Sequence, residues 1–135
     1  MKVTDLMIGD YIQSFGEPHK IIGIRIDTPY PYIKTNMSDT WYEWGMKDSA
    51  DCIPLTPEIL EKNFGKPYPR GGFHNYRMEK DETIAFVIED RRVSAAPDNR
   101  VVFCRVPGTY ICDVNYVHEL QHALRLCGID KEIVL

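Results

Sequence analysis

No stretch of this chain stays apolar for long. Its longest runs, such as Ile84-Ala85-Phe86-Val87-Ile88, fall far short of the roughly 20 residues that cross a bilayer as a helix, so no membrane partner is expected. Residues 1–10 hold one lysine and two acids but no apolar segment of the kind a secretion signal requires, and a cytoplasmic location is the corresponding expectation. Cysteine is sparse: Cys52, Cys104, Cys112 and Cys127 show no C-x-x-C spacing, which speaks against a zinc ribbon or a redox dithiol. Three of them fall in segments patterned as buried strand or helix, so the four read as reduced core thiols. Cys104 and Cys112 flank the Pro107-Gly108 turn and are placed to meet across a hairpin, without a permanent disulfide in a cytoplasmic setting. Positive charge is also in deficit. A net charge of −4 offers no overall field for nucleic acid, so such a partner would need a local basic patch. Repeats, low-complexity tracts and the G-x-S-x-G, Walker A, G-x-G-x-x-G, EF-hand and zinc-finger spacings are all missing.

What is present is an ordinary globular composition, 44% hydrophobic and 27% charged over 135 residues, enough for a single compact domain over residues 1–135. The first part, residues 1–55, alternates short β-type runs with turn residues. Runs are expected at 10–15, 20–26, 32–35, 40–44 and 52–55, with Ile22, Ile24 and Ile26 on one face and Gly23 at a bulge or a close approach. The pattern Ile8-Gly9-Asp10-Tyr11-Ile12, then Gly16, then Lys20-Ile21-Ile22-Gly23-Ile24 resembles the start of SH3-like small barrels. Thr56 as N-cap, Pro57 in the first turn, Glu58 at the positive end of the dipole and Asn63 or Gly65 at the end predict a connecting helix over 56–65. The Pro- and Gly-rich residues 66–80 read as a loop leading into a strand. Strands are then expected at 83–89, 92–95, 100–106 and 109–112, making 66–112 a meander. A C-terminal helix over 113–128, capped by Asp113 or Asn115 and stopped by Gly128, closes the pattern. The expected class is α+β: an SH3-like β-barrel unit, a connecting helix, and an antiparallel meander packed by the last helix.

His118-Glu119-Leu120-Gln121-His122 fits H-E-x-x-H on a helix. In that pattern two histidines one turn apart bind zinc, and the glutamate is general base for a metal-bound water. A zinc-dependent hydrolase would therefore use His118 and His122 as ligands and Glu119 as base. A third ligand has little room, because the residues after His122 contain no histidine and only Asp130 and Glu132 as side-chain carboxylates. Tyr116, Val117, Leu120, Ala123, Leu124 and Cys127 fall within about a third of the helix circumference, a sufficient core face. This leaves His118, Glu119, Gln121, His122 and Arg125 for a solvated face and requires no cofactor. The residues thus lean away from an enzyme.

Two further groups could bind rather than catalyse. Lys62, Lys66, Arg70, Arg77 and Lys80 interleave with Phe64, Tyr68, Phe73, His74 and Tyr76. Lys66, Arg70 and Arg77 are the candidates for phosphate contacts in a nucleic-acid accessory protein. Tyr30, Tyr32, Trp41, Tyr42 and Trp44 form an aromatic group in the first part. On a strand Trp41 and Glu43 face one way and Tyr42 and Trp44 the other, so one side is core and the other could meet a protein partner.

The segments Ile53-Pro54-Leu55-Thr56-Pro57-Glu58-Ile59-Leu60-Glu61-Lys62-Asn63-Phe64 and Tyr116-Val117-His118-Glu119-Leu120-Gln121-His122-Ala123-Leu124-Arg125-Leu126-Cys127-Gly128 resemble segments shared by small uncharacterised proteins of gut Bacteroidetes and their mobile elements. The resemblance implies an accessory or binding role and assigns no activity. The leading expectation is a non-enzymatic interaction module with a protein partner.

Overall fold

Two antiparallel sheets dominate the computed structural model, which describes residues 6–14, 17–26, 31–36, 40–43, 51–70, 72–80, 83–94, 98–106 and 109–135. The chain gathers into two compact units, Met1–Pro54 and Leu55–Leu135. The α+β class read from the sequence is the class observed.

In the first unit β1 (Tyr11–Ser14), β2 (Glu17–Arg25), β3 (Tyr32–Thr35), β4 (Trp41–Glu43) and β5 (Asp51–Cys52) form a sheet of order β4-β3-β2-β1-β5. Strand β2 is nine residues long and serves two neighbours. Its first half pairs with β1 from Ser14↔Glu17 to Tyr11↔Lys20, and its second half pairs with β3 from Ile21↔Thr35 to Arg25↔Tyr32. The register shifts between Ile21 and Gly23, and such a bulge exchanges which side chains face inward. Ile21 and Ile24 therefore face the core of Leu6, Ile12 and Ile33, with Tyr42 packed on it. Ile22 and Ile26 are exposed, at 47% and 64%. The common face expected for Ile22, Ile24 and Ile26 is corrected accordingly. Buried Asp10 closes the entry turn by accepting a hydrogen bond from the Met7 backbone N–H at 2.7 Å. Among the described residues β4 and β5 do not pair with each other, so the sheet is open.

In the second unit helix α1 (Pro57–Phe64) starts where its signals place it. Thr56 Oγ1 accepts from the Ile59 N–H at 3.3 Å, and Gly65 closes the helix at φ 81°. Strands β6 (Tyr68–Arg70), β7 (Phe73–Lys80), β8 (Thr83–Asp90), β9 (Val101–Arg105) and β10 (Thr109–Asp113) then form a meander of order β10-β9-β8-β7-β6. The stretch 66–80 is thus mostly hairpin rather than loop. Of its two prolines Pro67 precedes β6 and Pro69 sits within it, on an edge strand where a missing N–H is tolerated, and Gly72 turns the chain at φ 83°. The strand expected at 92–95 is instead a 3-10 turn, Arg91–Val93. Fully buried Asp90 caps it by accepting from the Arg92 N–H at 3.1 Å, and the Arg92 guanidinium returns to the same carboxylate at 2.9 and 2.8 Å.

Helix α2 (Val117–Leu126) begins after Tyr116, not at Asp113 or Asn115. The Asn115 carboxamide is engaged with β9, accepting from the Val101 N–H at 2.9 Å. Register sorts the sheet's side chains onto two faces. Tyr76, Ile88, Phe103 and Cys112 stand in one row, and Arg77, Val87, Cys104 and Tyr110 in the next, on the opposite face. Cys104 and Cys112 therefore lie on opposite faces and do not meet across the hairpin. Burial pushes the thiols of both up from the usual cysteine range. Both helices lie over the Phe103 face. Glu58 and Glu61 of α1 act electrostatically on Tyr76, and Glu119 and Cys127 at the two ends of α2 act on Cys112.

Candidate functional site

The bulge in β2 decides what surrounds Trp41. Because Gly23, Lys34 and Trp41 fall in one cross-strand row, the indole stands on the outer face of the first sheet above a residue with no side chain. A Cβ at Gly23 would lie 2.8 Å from Trp41 Cη2. The next row is Arg25, Tyr32 and Glu43. The Arg25 guanidinium lies 5.6 Å from the indole centroid and the Lys34 ammonium 5.9 Å, so two cations flank one aromatic ring. Contacts of this kind are worth about 0.5–1 kcal/mol each at exposed positions. Tyr32 and Trp41 are half-buried.

Of the aromatic group expected to bind a partner, the structure thus brings Tyr32 and Trp41 to one outer face. Tyr42 stands opposite Ile33, against the core. Tyr30 and Trp44 lie outside the described residues. Sequence patterning missed Gly23, Arg25 and Lys34 as members of the site, since only the bulged register places them beside Trp41. The available signal was Gly23 itself, a strand glycine marking a close approach.

The H-E-x-x-H helix is arranged differently from the solvated face expected for it. His118 and Gln121 are 1% and 8% exposed, Glu119 and His122 are half-buried, and of the five polar residues only Arg125 is exposed. The buried arc runs through Val117, His118, Leu120, Gln121, Ala123 and Leu124 and covers more than half the helix, as in a helix covered on two sides. The His118 ring stacks on Tyr116 at 5.9 Å and meets the His122 ring edge-on at 5.7 Å. Glu119 turns back to the helix start and accepts from the Tyr116 N–H at 3.0 Å, the carboxylate half of a capping box. Burial pushes its carboxyl up from the usual range, while hydrogen bonds from the Tyr116 and Asn115 backbone pull it down. Among the described residues no three His, Cys, Asp or Glu side chains are grouped to hold a metal ion.

The third set spans the β6–β7 hairpin. Lys66 is exposed between α1 and β6, Arg70 ends β6, and Arg77 stands exposed on β7 with its guanidinium 3.8 Å from the Tyr68 ring centroid.

Fold and site together define an α+β protein with a flanked tryptophan on one sheet face. Comparison with protein-family models, curated proteins and solved structures gives no match.

Proposed function

We propose that this chain is a non-enzymatic interaction module, and that the Trp41 face takes an extended, acidic segment of a protein partner. The observation that carries the reading is the indole held over Gly23 with Arg25 and Lys34 near its ring. An aromatic anchor with two cations 5.6 and 5.9 Å from its ring centroid suits a peptide that brings one apolar side chain and neighbouring carboxylates. Strand β4 carries Trp41 and, among the described residues, is the edge of its sheet, an edge at which such a segment can pair. The strand order, with a long β2 serving both halves, supports reading this unit as an SH3-like small barrel open between β4 and β5. The resemblance of the α1 and α2 segments to small proteins of Bacteroidetes mobile elements supports an accessory role in the cytoplasm.

The test is selection from a displayed random-peptide library on the immobilised chain, followed by titration of the enriched peptides. Acidic peptides that lose about tenfold or more in affinity with Trp41→Ala, while the variant keeps its thermal midpoint, are the expected result. No enrichment over bare matrix, or equal binding to the variant, would overturn the reading.

A further inference from the structure

The face of the second sheet away from α1 and α2 carries a different chemistry. Its central row crosses Tyr68, Asn75, Glu89, Val102 and Asp113 on successive strands. Asn75 is 8% exposed, and its Oδ1 is buried without a hydrogen-bond partner among the described residues. A buried carboxamide oxygen left unpaired is unfavourable, so a donor supplied from outside would stabilise it. Two residues along β7, Arg77 lies flat on Tyr68 at 3.8 Å. Arg77 makes no ion pair or hydrogen bond among the described residues, and Tyr68 remains 52% exposed. Nearby acids are already matched: Glu89 holds Arg91 at 2.7 Å, and Asp113 lies 3.7 Å from Arg100. Glu79, exposed further along β7, bounds the patch. The local balance around Tyr68 is therefore positive, with Lys66 exposed just before β6, although the whole chain carries −4.

These groups make a complementary set: a planar aromatic–guanidinium stack, a cation with no ion pair among the described residues, and an acceptor without a donor among them. We infer that this sheet face binds a single-stranded nucleic acid, one base stacking on the Tyr68–Arg77 pair and presenting an N–H to Asn75 Oδ1, with a phosphate at Arg77. Exposed bases of single strands are held in this manner, by stacking on aromatic or guanidinium planes and by hydrogen bonds to their edges. Tyr110, 54% exposed on the same face at the other edge strand, gives a second ring about 19 Å away at roughly 4.8 Å per strand step. A strand crossing the sheet can reach both, whereas a single nucleotide cannot.

The test uses the full chain and the anisotropy of a labelled mixed-sequence strand about 12 nucleotides long at roughly 50 mM salt. Binding should weaken as salt rises. Tyr68→Leu and Arg77→Gln should each lower affinity about fivefold or more, the loss expected for one stacking platform. Asn75→Leu should lower it as well while leaving the thermal midpoint unchanged or higher, because that carboxamide oxygen makes no bond among the described residues; a purely structural role would move the midpoint and not the affinity. Absence of binding, affinity indifferent to all three variants, or adenosine monophosphate competing as well as the strand would each overturn the inference. Trp41→Ala should leave strand binding intact, so failure of the peptide site and failure of this one are told apart.

Discussion

Gly23 is confined to hydrogen by a ring from another strand. The atom a methyl group would meet, Trp41 Cη2 at 2.8 Å, is the far edge of a side chain that can turn aside. Gly23→Ala is therefore expected to move the indole rather than unfold the sheet. Urea denaturation should show a loss of about 1 kcal/mol, the low end for an added methyl, while Trp41 fluorescence in a Trp44→Phe background shifts and peptide affinity falls; unchanged emission would mean that the ring does not rest on Gly23. Glu119 provides a second test at this scale. Burial raises its carboxyl above the ordinary range, against the pull of two backbone N–H groups. The folded state thus holds the proton more tightly than the unfolded chain, and the corresponding stability is present below the ordinary glutamate range and lost as pH rises through the raised folded value. Relative to Glu119→Gln, the natural chain should lose stability between acidic and neutral pH. A difference that stays flat across that range, measured by paired thermal melts, would contradict the assignment of burial as the dominant cause.

Elements whose signals are local were legible in the sequence, and those set by distant partners were not. Helix α1 is built from Thr56, Pro57 and Gly65, each acting within one turn. Helix α2 shows the reverse: Asn115 is a good cap by composition, but its carboxamide is used by Val101 of β9, so the helix starts later. The hairpin of β6 and β7 was hidden by Pro69 and Gly72, which read as loop although an edge strand accepts the first and a positive-φ turn the second. Trp41 stood out by residue type and Gly23 as a bulge or close approach, whereas Arg25 and Lys34 joined them only through the cross-strand register, which the sequence does not carry. Asn63 is another such long-range device. Its Nδ2 donates to the Ile59 and Val134 carbonyls at 2.8 Å each, and its Oδ1 accepts from the Val134 N–H at 2.7 Å, tying the segment that carries buried Ile133 to α1. Asn63→Ala should cost about 1–3 kcal/mol and speed hydrogen exchange at the Val134 amide. Protection that persists in the variant would show that Ile133 alone holds the segment.

At the scale of the molecule, each unit has a sheet whose order closes within its own part of the sequence, and among the described residues no helix is long and apolar enough to cross a membrane. In the second unit the first residue matters as much as the core. The Leu55 N–H donates to the Asn115 carbonyl at 2.9 Å, and the Leu55 carbonyl accepts from Arg92 Nη1 at 2.7 Å, where Arg92 is already clamped by buried Asp90. A chain of residues 55–135 keeps both bonds and the Thr56 cap, so it should unfold in one cooperative transition. A chain of residues 58–135 loses the guanidinium bond, worth about 1.5–3 kcal/mol, and the cap, worth about 1 kcal/mol, together with the side chain of Leu55, 0% exposed in the whole chain. Its urea midpoint should fall by a margin readable against the longer fragment, with far-ultraviolet dichroism reporting the lost helix. Equal midpoints would show that the Asp90–Arg92 clamp stabilises the unit without Leu55, and a 55–135 chain that melts without cooperativity would show that this unit does not fold alone.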